Sequence, residues 1–110
     1  TLDGRRILGR KTVEYMTTDQ LGPDIRNNVG LADPPRVNYG FGLGVAVRKD
    51  TGGTVMNGSP GEFAWPGASG TNFWVDPKEE LVVVMMAQTP GSIRWHYRQV
   101  ISALVLQALQ

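Results

Sequence analysis

The serines are the side chains in this sequence best suited to nucleophilic catalysis, because the chain contains no cysteine. A serine becomes a strong nucleophile only beside a base, and no Ser-x-x-Lys pattern supplies one here. Gly67-Ala68-Ser69-Gly70 also fails, by one residue, to match the Gly-x-Ser-x-Gly turn that exposes a nucleophilic serine. The residues three positions after the serines are Glu62, Asn72, Trp95 and Val105. We therefore expect the nucleophile to be absent from this chain.

Histidine and carboxylates are the remaining acid–base candidates. His96 is the only histidine of the sequence, so this chain alone cannot build a metal site with several histidine ligands. Glu79 and Glu80, with Asp76 nearby, fall in a polar turn between two predicted strands, where solvated charges are usual. We predict no metal site and no cofactor, and we expect surface or capping roles for these residues.

Composition excludes several classes of protein. The 110 residues have a net charge of +1, whereas a nucleic-acid-binding domain needs a clear basic excess. The small cluster of Arg5, Arg6, Arg10 and Lys11 is interpreted as a solvated patch. The longest apolar run, residues 81–87, has the length of a strand and not of a membrane span. Nothing in the sequence identifies the compartment, and its first residues suggest a chain cut from something longer or begun after processing.

Turn residues divide the chain into short strands between two helices. Residues 7–22 predict a helix that stops at Gly22-Pro23, and residues 23–35 predict a loop. Strands are predicted over residues 39–48, 54–57, 62–65, 70–75 and 81–87. The last of these is almost continuously apolar, which is typical of a strand that is buried on both faces. The predicted class is α+β, an antiparallel sheet packed by N- and C-terminal helices.

Two patterns predict how these elements pack. Period-two alternation places Gly40, Gly42 and Gly44 on one face of a single strand, where another backbone could approach closely. Residues 93–109 predict a helix with Ser92 as its N-cap and one apolar stripe facing the sheet. The stripe consists of Tyr97, Val100, Ile101, Leu104, Val105 and Ala108.

Residues 61–77 form the most informative stretch, with Trp65 and Trp74 close to Pro66, Gly67 and Gly70. Without further context it predicts a tight hairpin with core aromatics. It resembles the third conserved box of the serine β-lactamase and penicillin-binding-protein superfamily, which reads Lys-Thr-Gly in β-lactamases and commonly Trp-Gly-Gly in related esterases. Here the box is Trp65-Pro66-Gly67, and the Phe73-Trp74-Val75-Asp76-Pro77 that follows is also similar to the branch with class C β-lactamases and family VIII esterases.

The resemblance extends over nearly the whole chain. The segments Lys11-Thr12-Val13-Glu14-Tyr15-Met16 and Tyr39-Gly40-Phe41-Gly42-Leu43-Gly44 are similar to the same branch, whereas the family's Ser-x-x-Lys and Tyr-x-Asn boxes are absent. These boxes normally lie upstream. The resemblance therefore implies that residues 1–110 are the incomplete C-terminal portion of a serine hydrolase domain and are inactive alone.

The resemblance also implies roles for the residues of the box. The backbone N–H of Ala68 would be an oxyanion-hole donor, and Trp65, Pro66, Gly67 and Ser69 would contact an ester or amide substrate. The box strand would be the sheet edge that faces the cleft, where a proline is tolerated. The expected partners are a small-molecule substrate and the missing N-terminal segment of the same enzyme, on the same or a companion chain. No nucleic acid and no membrane span are expected.

A second hypothesis remains open at this point. A stand-alone binding or structural module without chemistry would also lack a nucleophile. The two hypotheses differ in whether a Ser-x-x-Lys precedes this sequence in the same reading frame or lies on a companion chain.

Overall fold

The computed structural model describes residues 3–25 and 38–109. Within them, two helices flank five strands, and each strand pairs antiparallel with the next along the chain. This arrangement confirms the predicted α+β class. The predicted loop over residues 23–35 lies mostly outside the described residues. The elements are α1 (Arg10–Met16), β1 (Tyr39–Phe41), β2 (Ala46–Arg48), β3 (Phe63–Pro66), β4 (Asn72–Asp76), β5 (Leu81–Met85) and α2 (Ile93–Gln107).

The predicted strand over residues 39–48 is wrong, because this segment is a hairpin. β1 and β2 pair with Phe41 opposite Ala46. The N–H of Gly42 donates to the carbonyl of Val45 at 2.8 Å, and Gly44 has a φ of +88°. Such a φ costs little for glycine, which explains a tight turn at this point. Gly44 therefore lies in a turn and not on the face of a strand.

Gly40 and Gly42 do allow a close approach, as predicted. A Cβ on Gly42 would lie 2.3 Å from the carbonyl oxygen of Met16, at the end of α1. The N–H of Leu43 donates to that same oxygen at 2.9 Å, and the N–H of Gln20 donates to the carbonyl of Phe41 at 2.9 Å. Backbone hydrogen bonds therefore join the segment after α1 to the β1–β2 hairpin.

The helix α1 is shorter than the predicted helix over residues 7–22. The hydroxyl of Thr18 donates to the carbonyl of Glu14, the acceptor that its own N–H would use in a continued helix, and the hydroxyl of Thr17 donates to the carbonyl of Val13. Threonine is also a weak helix former. The chain leaves the helix at this point and pairs with Phe41.

The register places alternate residues on two faces of the sheet, and one face is more completely buried than the other. On the second face Val47, opposite Phe63, is also buried. The covered face consists of Arg48, Glu62, Ala64, Trp74 and Asp76, all buried. The open face consists of Phe63, Trp65, Phe73, Val75, Val82 and Val84. Val82 and Val84 are 66% and 64% exposed. The prediction that β5 is buried on both faces is therefore wrong. Arg98 and Ser102 of α2 are buried, and Arg98 donates to the carbonyls of Gly67 and Thr71, so α2 lies beside the turn between β3 and β4.

The orientation of α2 differs from the predicted apolar stripe. Arg98 and Ser102 are its buried residues, whereas Tyr97, Val100 and Leu104 are exposed. Hydrophobic periodicity misses this orientation because the buried arginine donates hydrogen bonds to carbonyls in the turn between β3 and β4. Ser92 occupies the N-cap position as predicted but makes no side-chain capping bond. The predicted strand over residues 54–57 does not form; Thr54 and Met56 instead accept hydrogen bonds from the Arg48 guanidinium.

Candidate active site

The box Trp65-Pro66-Gly67 lies at the end of β3, where the chain turns into β4. The N–H of Gly67 donates to the carbonyl of Thr71 at 2.8 Å, and the N–H of Gly70 donates to the carbonyl of Gly67 at 3.2 Å. Gly70 has a φ of +112° and a Cβ there would meet Thr89. Residues 67–71, the box loop from here on, therefore form a short hydrogen-bonded turn held closely against the segment before α2.

The carbonyl groups of the box loop bond to α2 and to the segment that precedes it. Nη2 of Arg98 donates to the carbonyls of Gly67 and Thr71 at 2.5 and 3.0 Å. Nη1 of Arg94 donates to the carbonyl of Ala68 at 2.9 Å. The N–H of Thr89 donates to the carbonyl of Ser69 at 2.8 Å. These bonds restrain four peptide units of the loop, three of them successive, through their carbonyls.

The N–H of Ala68 points to the opposite side. A trans peptide unit is planar, with its C=O and N–H in opposite directions, and the described residues contain no cis bond. Because the carbonyl of Gly67 points at Arg98, the N–H of Ala68 in the same unit points away from α2. Ala68 is exposed, and within residues 3–25 and 38–109 its N–H has no acceptor. This donor is oriented and available.

Trp65 is half-buried on the open face, beside an aromatic neighbour. Its ring meets Phe41 edge-on, with centroids 5.1 Å apart and planes at 87°. Ala64 lies on the covered face and is 3% exposed, as strand alternation requires. The two aromatic rings form an apolar surface next to the box loop, a suitable contact for an acyl or alkoxy group.

The predicted edge position of the box strand is wrong within this sheet. β3 is the third strand of five, because the β1–β2 hairpin adds two strands beside it. The register of β2 with β3 nevertheless ends at Ala64. Since Gly67 is hydrogen-bonded to Thr71, ladder alternation turns the ring nitrogen of Pro66 away from β4. Pro66 therefore lacks its N–H on the side of β2, at a position beyond the end of the β2–β3 pairing.

Within the described residues, the other candidates for acid–base or nucleophilic roles form no acid–base pair at the box loop. Ser69 is exposed in the loop itself. His96 is exposed beside Tyr97, with ring centroids 5.8 Å apart. Glu79 and Glu80 are exposed in the β4–β5 turn, as expected. Asp76 is buried and is not the surface residue that was expected: its Oδ1 accepts from the N–H groups of Lys78 and Glu79 and shapes that turn.

Sequence reasoning missed Arg94 and Arg98. The signal was present, since two arginines spaced four apart on a helix share one face. Their partners are backbone carbonyls, which leave no trace in residue types, so only the folded structure reveals the contact.

A concave surface of the described residues lies away from the box. A groove of about 880 Å³ runs along the N-terminal segment and α1, and it includes none of the box residues. Arg5, Leu8, Val13, Phe63 and Pro77 are among its lining residues. Ala68 and Ser69 of the box loop are exposed.

Residues 3–25 and 38–109 contain no candidate metal site and no candidate membrane-spanning helix. No group of three His, Asp or Glu side chains in that part of the chain could hold a metal ion. None of its helices combines the length and apolar character that a membrane crossing requires.

Comparison with known proteins places this geometry in a family. The chain is 35% identical over 91 residues to protein Rv1367c and to protein MT1414, from two strains of Mycobacterium tuberculosis. The match covers 80% of this chain but only 23% of each relative, so the chain spans about a quarter of their length. The sequence profile of the Beta-lactamase family matches residues 2–105. Because that match covers nearly the whole chain, the protein belongs to the Beta-lactamase family, within the serine β-lactamase and penicillin-binding-protein superfamily.

Proposed function

We propose that this chain is the C-terminal part of a serine hydrolase domain that cleaves ester or amide bonds through an acyl-enzyme. The chain supplies one oxyanion-hole donor, the N–H of Ala68, and a wall of the substrate cleft at Trp65, Pro66, Gly67 and Ser69. The observation that carries the proposal is the oriented Ala68 N–H, which is exposed and has no acceptor within the described residues.

The proposed mechanism needs a nucleophile from outside this chain. A serine oxygen attacks the substrate carbonyl carbon, and the π electrons of the C=O bond move to the oxygen. That oxyanion accepts hydrogen bonds from the Ala68 N–H and from the N–H of the nucleophile. The tetrahedral intermediate then expels the alcohol or amine, which takes a proton, and water hydrolyses the acyl-serine. A lysine and a tyrosine outside the chain would move the protons.

Preorganisation explains why the box loop suits this role. An oxyanion hole is effective when its donors already point to where charge develops, so that little reorganisation is needed. The carbonyls of residues 67, 68, 69 and 71 are all bonded on the far side of the loop. The donor therefore does not have to be oriented again at each turnover.

The residue types of the box favour an ester over a β-lactam. A lysine in the first box position would offer a charge to the carboxylate of a penicillin, and Trp65 offers none. The Trp65–Phe41 surface is apolar instead. We therefore propose an esterase, or a related amidase or transesterase, with a preference for uncharged acyl groups.

The open face supports the assignment to a larger domain. Val82, Val84 and Met86 are 66%, 64% and 81% exposed, and soluble proteins seldom leave a contiguous apolar patch of this kind uncovered. The remainder of a family domain would cover it. The alternative of a stand-alone module predicts instead that residues 1–110 fold cooperatively as a monomer, whereas our proposal predicts poor stability or aggregation.

The function is tested with the full-length gene product that contains this sequence. We expect it to hydrolyse p-nitrophenyl butyrate and residues 1–110 alone not to do so. Ala68→Pro removes the N–H and should lower kcat by about 10²–10³-fold, the usual cost of one oxyanion-hole donor.

Ala68→Ser is the matched control, because serine keeps the N–H and adds one small polar group. We expect it to retain most of the wild-type kcat. Equal hydrolysis by folded Ala68→Pro and Ala68→Ser variants would refute the assignment of the donor. Ester turnover by the isolated chain that Ser69→Ala abolishes would make Ser69 the nucleophile and overturn the mechanism.

A further inference from the structure

The guanidinium of Arg98 is the deepest polar group next to the box loop. Arg98 is 1% exposed, and one nitrogen, Nη2, donates to both Gly67 and Thr71. These two residues are themselves joined by the bond from the Gly67 N–H to the Thr71 carbonyl. Arg98 therefore bonds both sides of the turn that carries Ala68.

The bond to Gly67 has a consequence for Ala68. The C=O of Gly67 and the N–H of Ala68 belong to one planar peptide unit, so holding the first orients the second. The same carbonyl accepts from the N–H of Gly70 at 3.2 Å, which adds a weaker restraint on the same unit. A buried ionised donor makes a stronger hydrogen bond than a neutral one, so Arg98 dominates this restraint.

We propose that Arg98 is a positioning residue for catalysis: it orients the Gly67–Ala68 peptide so that the Ala68 N–H faces the substrate carbonyl. This inference rests on the proposed function. Hydrogen bonds also polarise one another along a chain, so the cation at the carbonyl end makes the Ala68 N–H a better donor to an oxyanion. Arg98 touches no substrate in this account and acts only through the peptide.

Arg94 provides an internal comparison. It bonds to the carbonyl of Ala68, which belongs to the next peptide unit and orients the N–H of Ser69 instead. Arg94 is also less buried than Arg98. Two arginines on one helix face therefore restrain neighbouring peptide units, and only Arg98 restrains the one that carries the proposed donor.

The test uses Arg98→Gln, Arg98→Lys and Ser102→Ala in the full-length gene product. Ser102 is buried on the same helix face but makes no hydrogen bond to the box loop among the described contacts, so it controls for burial. For p-nitrophenyl butyrate we expect Arg98→Gln to lower kcat by about 10–100-fold, less than removal of the donor itself. KM should stay within about threefold, because an interaction made only in the transition state acts on kcat.

Arg98→Lys should recover part of kcat, since lysine keeps the charge but lacks the planar fork of arginine. This variant also carries the test if Arg98→Gln does not fold. A purely structural role would lower melting temperature in proportion to burial and would leave kcat of the folded enzyme unchanged. Wild-type kcat in folded Arg98→Gln and Arg98→Lys would overturn the inference and leave the proposed function intact.

A second readout does not depend on activity. Hydrogen exchange at the Gly70 amide reports the bond to the Gly67 carbonyl, and it should be at least about tenfold faster in Arg98→Gln than in Ser102→Ala if Arg98 restrains this peptide unit. Equal exchange in the two variants would overturn the inference. If the wild-type protein hydrolysed no ester while exchange rose as expected, the proposed function would fail and the restraint by Arg98 would stand.

Discussion

The covered and open faces of the sheet differ in polarity: charged side chains are buried on one, and apolar side chains are exposed on the other. The covered face buries Arg48, Glu62 and Asp76, whereas the open face exposes Val82 and Val84. Hydrophobic burial alone would produce the reverse. Three of the buried charges bond to a loop or turn: Arg48 to Thr54 and Met56, Asp76 to Lys78 and Glu79, and Arg98 to the box loop. Glu62 instead accepts from the hydroxyl of Tyr39 on β1 at 3.5 Å.

The comparison teaches that burial in this chain follows the need to hold loops. Backbone carbonyls and N–H groups at strand ends lack ladder partners, and leaving them buried without a bond costs free energy. Charged side chains on the covered face supply those partners. The apolar side chains of the open face form no such hydrogen bonds, and they are available to pack against a further segment.

Replacing a buried arginine should have the largest effect on stability. Arg48→Met removes the bonds to Thr54 and Met56 and leaves neighbouring polar groups buried. We expect the free energy of unfolding to fall by about 3 kcal/mol, the range for breaking a buried charged interaction. Urea denaturation of the full-length gene product measures this.

The matched change on the open face is Val84→Thr, which keeps the β-branched shape. In the full-length gene product this change should lower the free energy of unfolding by about 1 kcal/mol, the typical effect of one substitution. An effect as large as that of Arg48→Met in the same urea denaturation would contradict the distinction between the faces.

A smaller effect is expected where α1 meets the hairpin. Gly42→Ala would place a Cβ 2.3 Å from the carbonyl oxygen of Met16, and forced overpacking costs about 1–3 kcal/mol. Gly44→Ala meets no atom within 4 Å and has only the strain of its positive φ, about 1 kcal/mol. Thermal unfolding should therefore rank Gly42→Ala below Gly44→Ala, and the opposite order would contradict the packing of α1.

Much of the fold could be predicted from turn residues and periodicity. Strands β3, β4 and β5 and helix α2 lie close to their predicted ranges because polar turns and apolar runs mark them locally. The β1–β2 hairpin was missed because alternating glycines continue through its turn. The rotation of α2 was missed because a helical stripe records hydrophobicity, whereas Arg98 is buried for its bonds to carbonyls.

The candidate site divides in the same way. Its position came from the resemblance of Trp65-Pro66-Gly67 to a family box, and composition alone favoured nothing beyond a tight hairpin. The restraint of the box loop by α2 joins residues about thirty positions apart, and only tertiary structure brings them together.

The smallest expected effect is on pH dependence. Partial burial raises the pKa of Asp19, but the Lys49 ammonium at 2.7 Å and the N–H groups of Leu21 and Phe41 outweigh it, so the pKa lies below its ordinary value of 3.8. Ionised Asp19 therefore stabilises the fold above about pH 4, and this contribution is lost as pH falls through the lowered pKa.

The contribution should be about 1 kcal/mol or less, because Lys49 is well exposed and the pair is screened. Asp19→Asn removes it, so wild type and variant should differ in melting temperature at pH 7 and converge at low pH. A difference that is constant with pH would mean that the charge of Asp19 does not contribute.

The most direct test of the central claim is a structure of the full-length gene product inhibited by a p-nitrophenyl alkylphosphonate. Attack by the serine releases nitrophenol and leaves a tetrahedral phosphonyl ester with a charged oxygen, which resembles the acyl-transfer intermediate. We predict that this oxygen lies about 2.7–3.1 Å from the backbone nitrogen of Ala68. An adduct whose oxygen points away from Ala68 and is bonded by other donors would contradict the account.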